Sequence, residues 1–153
     1  MKKEEMIHAI TERLFEMTAE QVLFHQAVAD VLGLHVTDHK CLDIIHRLGP
    51  VSAGKLAEQT GLTTGAVTGI IDRLEKAGYV RRTSDPDDRR KTIVEPTEHR
   101  ILQRKIGTVF QPFHEGARRL LSPHSDSELA FLLDLATEFV RLTQEQTKKL
   151  RDL

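Results

Sequence analysis

The chain has 153 residues, and its 22 lysines and arginines against 23 aspartates and glutamates leave a formal charge of −1, so bulk charge recommends no polyanionic partner. Hydrophobic residues at 39% and charged residues at 29% exclude a disordered chain and leave room for one compact domain, or two small lobes sharing helices, to bury a core. There is no apolar run of about 18 residues and no signal-like block, and the single cysteine, Cys41, excludes an internal disulfide and a thiolate zinc site; the expectation is a cytoplasmic protein without a membrane partner.

In chain order, Met6, Ile7, Ile10, Leu14 and Met17, then Leu23, Phe24, Ala27, Val28, Val31 and Leu32, recur largely in three- and four-residue steps. That spacing predicts one long amphipathic helix closed by Gly33. Thr37 opens a second helix through Leu42, Ile44, Ile45 and Leu48, and Gly49-Pro50 stops it, permitting only a brief extended segment. Ser52 caps a short helix containing Leu56 and Ala57, Gly61 ends it, and Thr63 or Thr64 starts another through Val67, Ile70, Ile71 and Leu74 to Gly78. Two short helices across a tight glycine turn form a helix-turn-helix pattern. Tyr79-Val80-Arg81-Arg82-Thr83 and Thr92-Ile93-Val94 read as a two-stranded hairpin with a charged tip. Thr97 then caps a helix that Pro112 is expected to kink, Ser122-Pro123 breaks the pattern, and a final helix carries Leu129, Leu132, Leu133, Ala136, Phe139 and Val140.

The fold class is therefore mostly α with a small β-hairpin wing: a winged helix-turn-helix lobe over residues 37–96, flanked by long helices over 1–36 and 97–153. These helices cannot fold entirely onto so small a lobe. Their apolar faces are most simply covered by a second copy, giving a homodimer.

Charge is unevenly distributed. Residues 1–48 hold 5 basic and 8 acidic groups, whereas residues 52–91 hold 8 basic and 6 acidic. Arg81, Arg82, Arg89, Arg90 and Lys91 flank the hairpin tip, where arginines can enter a minor groove and sense its negative potential. A charge run alone is also what a solvated loop looks like, and helix-glycine-helix turns occur in folds that bind no nucleic acid. The two features side by side are more specific, because a recognition helix in a major groove and a wing in the adjacent minor groove must be neighbours.

The element order resembles the MarR family of dimeric winged-helix transcription regulators. The resemblance is strongest over residues 51–98, in Leu56-Ala57, in Gly61 through Thr68, in Asp72-Arg73-Leu74-Glu75-Lys76-Ala77-Gly78-Tyr79-Val80 and in the wing Asp85-Pro86-Asp87-Asp88-Arg89-Arg90. It implies a DNA-binding regulator, most simply a ligand-responsive repressor on a pseudo-palindromic operator. It also places Thr63, Thr64, Gly65, Ala66 and Thr68 at the exposed start of the recognition helix, where hydroxyls and methyls can meet phosphates and base edges. By the same resemblance Arg73 is a phosphate-binding or wing-anchoring residue and Arg90 a minor-groove arginine. Asp88 would orient Arg90 or Arg73, with Arg89 and Lys91 beside them. Ser52 and Lys55 could hold backbone phosphate at the preceding helix start. Pro96-Thr97 and Arg100 stand where the family places a Leu-Thr pair and a glycine, which leaves the exit angle of the wing open.

Eight histidines are the compositional oddity. Relatives that sense zinc nominate His35, Asp38, His39 and His114 as ligands, a metal-responsive alternative that needs three or four donors within bonding distance; otherwise these are surface or core histidines and no cofactor is expected. Relatives that bind small aromatic or phenolic acids nominate Phe15, Phe24, Phe110 and Phe113 as an effector cleft, although aromatics at helical spacing are equally core. Cys41 reads as a buried thiol rather than a redox sensor. A winged-helix protein-interaction module that binds no DNA is the rival, while no histidine stands beside a nucleophile or a phosphate loop to suggest an enzyme.

Overall fold

A computed structural model describes residues 2–85, 92–98 and 100–153. The chain forms two compact units, Met1–Ile106 and Gly107–Leu153. The first contains α1 (Lys3–Leu32), α2 (Val36–Leu48), β1 (Val51–Ser52), α3 (Ala53–Thr60), α4 (Thr64–Lys76), β2 (Val80–Ser84) and β3 (Thr92–Pro96), followed by the start of α5 (Arg100–Leu121). The second contains the remainder of α5 and α6 (Asp126–Arg151).

Glycine closes α1 as the sequence predicts. Gly33 adopts the left-handed conformation at φ 72°, and the Gly33 and Leu34 amides donate back to the Asp30 and Ala29 carbonyls at 3.1 and 2.9 Å, so the orphan carbonyls of the last turn are satisfied. The cap delivers the chain already turned, with Leu34 packed against the core. Helix α2 consequently begins at Val36 with His35 in the capping position, and Thr37, expected to open the helix, lies inside its first turn.

The sheet has three antiparallel strands in the order β1-β3-β2 rather than the two of a simple hairpin. Val51 pairs with Val94 and Val80 with Pro96. The segment after Gly49-Pro50 is long enough for two ladder positions, and adding them to β3 buries Val51 beside the fully buried Val94. Behind the sheet, Ile45, Leu56, Val67, Ile71, Leu74 and Val80 interlock as one apolar cluster drawn from α2, α3, α4 and β2. Tyr79 ties this lobe to α1, its buried hydroxyl donating to the Leu32 carbonyl at 3.0 Å.

Thr97 does not cap α5. Its hydroxyl donates to the Gly78 carbonyl at 2.6 Å and its amide to the Tyr79 carbonyl at 3.1 Å, so it fastens the wing exit to the end of α4, and the helix starts at Arg100. Within α5, Pro112 sits inside an unbroken helical run. Helix α6 opens with a capping box that the expected Ser122-Pro123 break overlooks: the Ser125 amide donates to Glu128 Oε2 at 2.8 Å while the Ser125 hydroxyl accepts the Glu128 amide at 3.4 Å, the two-way arrangement written in the sequence as Ser-x-x-Glu.

Candidate nucleic-acid interface

Helix α4 has two chemically distinct faces because its apolar residues follow a three- and four-residue rhythm. Val67, Ile70, Ile71 and Leu74 are buried, whereas Thr63, Thr64, Gly65, Ala66 and Thr68 are all exposed. Thr63 is the cap, its hydroxyl oxygen accepting the Ala66 amide at 3.2 Å. That bond uses a lone pair and leaves the hydroxyl proton for an outside acceptor. The Thr68 hydroxyl donates to the Thr64 carbonyl at 2.9 Å, so toward solvent Thr68 offers lone pairs and a methyl. The face thus combines donors, acceptors and methyl groups without a charged side chain, a mixture suited to base edges as well as phosphates.

Ser52 and Lys55 stand at the start of α3. The Ser52 hydroxyl accepts the Lys55 amide at 3.2 Å, and the Lys55 ammonium pairs with Glu58 at 2.9 Å on the exposed surface. Both residues are accessible, with Lys55 partly neutralised by its own helix.

Arg73 is held by a carboxylate that the resemblance did not nominate. Its Nε donates to Asp38 Oδ2 at 2.8 Å and its Nη2 to Asp38 Oδ1 at 2.7 Å, a forked pair joining α4 to α2. The Asp38 side chain is 3% exposed and that of Arg73 is 54% exposed. The guanidinium is therefore anchored at one edge and open to solvent at the other, the geometry of a positioned cation. Asp38 of α2 thus orients Arg73.

The base of the wing is neutralised internally. Arg81 pairs across the strands with Glu95 at 2.7 Å, and Arg82 reaches from β2 to both Asp72 and Glu75 of α4. Asp72, Glu75, Glu95 and Asp38 are the site residues that counting basic groups misses. The signal for two of them was the Asp72-x-x-Glu75 spacing, which puts two carboxylates on one helix face ahead of a strand that begins Val80-Arg81-Arg82. Asp88, Arg89, Arg90 and Lys91 lie outside the described residues.

The proposed zinc donors divide between the two units. Both Asp38 oxygens are occupied by Arg73, His35 is exposed in the capping position of α2, and His114 belongs to the second unit. Among the described residues no group of three or more metal-ligating side chains is brought together. His39 is instead buried with its ring 5.3 Å from that of His25. Burial, reinforced by His25 and opposed by Asp43, lowers its pKa below the ordinary histidine value. Cys41 is completely buried, and burial together with the Asp38 charge pushes its thiol up to about 11.

The four effector candidates divide between the two units. Phe15, 71% exposed, and the half-buried Phe24 lie on α1. Phe110 and Phe113 lie on α5 in the second unit, each with its ring 6.4 Å from that of His114. No helix of the described residues is long and apolar enough to cross a membrane.

Residues 34–92 match the model of the MarR family. The chain is 40% identical over 130 residues to the HTH-type transcriptional regulator YcgE of Bacillus subtilis (strain 168), covering 85% of this chain and 83% of YcgE. It is 42% identical over 50 residues to the HTH-type transcriptional repressor NicR of Pseudomonas putida, covering 33% of this chain and 32% of NicR. Its fold is similar to that of Streptococcus pneumoniae FabT in complex with DNA, with a TM-score of 0.65 at 19% identity, covering 92% of this chain and 99% of FabT. With its winged lobe in place and a relative 40% identical over 85% of its length, the chain belongs to the MarR family of DNA-binding transcriptional regulators, not to an enzyme family.

Proposed function

We propose that this regulator is a homodimeric, ligand-responsive repressor that sets α4 of each protomer in a major groove and the β2–β3 wing in the flanking minor groove of a pseudo-palindromic operator. The observation that carries the reading is the uncharged, hydroxyl-rich exposed start of α4, on a helix whose apolar face is fully buried and which is followed directly by an antiparallel hairpin. A helix rigidly seated on its core can present side chains to base edges at fixed positions. Repression is suggested by NicR, whose likeness covers 33% of this chain.

The dimer is supported by apolar side chains on α1, α5 and α6 that the single chain leaves exposed, among them Ile10, Phe15, Leu120, Phe131 and Leu133. An effector would act by binding better to a dimer whose lobes are spaced wrongly for the operator, which lowers the binding-competent population. Phe15, Phe24, Phe110 and Phe113 are its proposed contacts, and a small aromatic or phenolic acid its proposed class. A cytoplasmic location follows from acting on a genome.

Selection of bound duplexes from a random pool, with the full chain, tests the reading. Recovery of an inverted repeat with half-sites one helical turn apart, about 34–36 Å, is the expected result. Adding a panel of aromatic acids to the selected operator is expected to release it. Arg90→Ala, in the wing tip, should bind that operator more weakly and reduce the slope of log affinity against log salt by about one. An unselective pool would sink the proposal and favour a protein-docking role for the lobe.

A further inference from the structure

We propose that Arg82 is a positioning residue for DNA binding, and that its partners Asp72 and Glu75, although acidic, raise affinity for DNA. The proposal rests on the DNA-binding reading of α4. Arg82 lies in β2, and its guanidinium donates through Nη1 to Glu75 Oε2 and through Nη2 to Asp72 Oδ1. Its backbone amide also donates to Glu75 Oε1 at 3.0 Å. Glu75 therefore grips both the main chain and the side chain of β2 with its two oxygens, and Asp72, one helical turn earlier, holds the other prong of the same guanidinium.

Three donors on two carboxylates differ from an ordinary surface ion pair. An isolated exposed pair contributes little because both side chains must be ordered for a screened attraction. Here one partner is the backbone, which the sheet has already ordered: Arg82 stands opposite the fully buried Val94 in the register of β2 and β3. The Arg82 side chain is only 30% exposed. The clamp thus ties the strand at the base of the wing to the helix that reads DNA, so that the two approach the duplex as one body. The Arg81–Glu95 pair lies within the sheet and does not reach α4.

Coulomb attraction and positioning predict opposite signs for one substitution. Glu75→Gln removes a negative charge from the DNA-binding lobe, and charge alone would then strengthen binding to a polyanion. If Glu75 acts by holding Arg82, the same change weakens binding.

The test measures operator affinity across a salt series for the wild-type full chain, Glu75→Gln, Arg82→Met and the double variant, with thermal melts of each. The expected result is roughly tenfold weaker binding for Glu75→Gln and for Arg82→Met, with no further loss, or a gain, when Glu75→Gln is added to Arg82→Met. That reversal between backgrounds is one a general loss of stability does not produce. If Arg82→Met fails to fold, Asp72→Asn with Glu75→Gln is the replacement, and again must bind more weakly than wild type. Binding by Glu75→Gln as tight as wild type or tighter overturns the proposal. Failure of the wild-type chain to bind any selected duplex overturns instead the DNA-binding reading on which it stands.

Discussion

Asp38 illustrates how one residue can satisfy two incompatible readings until its neighbours are known. Beside His35 and His39 it suggests a metal donor, but its buried carboxylate is committed to the fork of Arg73. Asp38→Asn should weaken operator binding although it removes a negative charge, because Arg73 loses the acceptor that fixes its direction; operator binding by titration that is unchanged or tighter would refute this. His39, held neutral by burial, has a folded-state pKa below its unfolded one. The unfolded chain then takes up the proton first, so stability is fully present above about pH 6.5 and is lost as pH falls through that value toward the lower folded-state value. The melting temperature should accordingly fall between pH 7.5 and pH 5.5, and the fall should shrink in His39→Gln; His46, also lowered by burial and opposed by Asp43, acts in the same direction. Tyr79→Phe leaves the Leu32 carbonyl without its buried donor and should cost about 1–3 kcal/mol in denaturant unfolding.

Helices were the most legible elements, since their limits are set by local chemistry. Gly33, Gly61 and the Ser52 cap stand where the sequence put them, and of Thr63 and Thr64 the structure makes Thr63 the cap. Thr97 was misread for an equally local reason: its hydroxyl is a cap by residue type, but the carbonyls of Gly78 and Tyr79, 19 and 18 residues earlier, claim it through the fold. The caps also separate stability from recognition along α4. Thr63→Ala should cost about 1 kcal/mol, the usual worth of a cap, whereas Thr64→Ala, whose side chain points outward, should leave denaturant unfolding within about 0.5 kcal/mol of wild type. Thr64→Ala should instead change the base preference recovered by selection. A site preference identical to wild type would reduce Thr64 to a residue that merely lines the groove.

At the scale of the whole molecule, the apolar surface on α1, α5 and α6 is the largest open account. Leu120, Phe131 and Leu133 are 75%, 65% and 68% exposed, in a chain whose lobe buries Ile45, Leu56, Ile71 and Leu74 almost completely. Sedimentation should give a particle of twice the 17.4 kDa chain mass, with a melting temperature that rises with protein concentration; a monomer at micromolar concentration would contradict the dimer. By itself the sequence determined the helix periods, the Ser52 cap and the glycine stops, the helix-turn-helix and the family, because these depend on residues within a few positions of one another. Only the tertiary structure decided that β1 completes the sheet, that Asp38 holds Arg73, and that Arg82 is bound to α4. Those partners are separated by 7 to 43 positions, and a side chain's type declares what it can bond to, whereas the folded chain decides which candidate comes within about 3 Å.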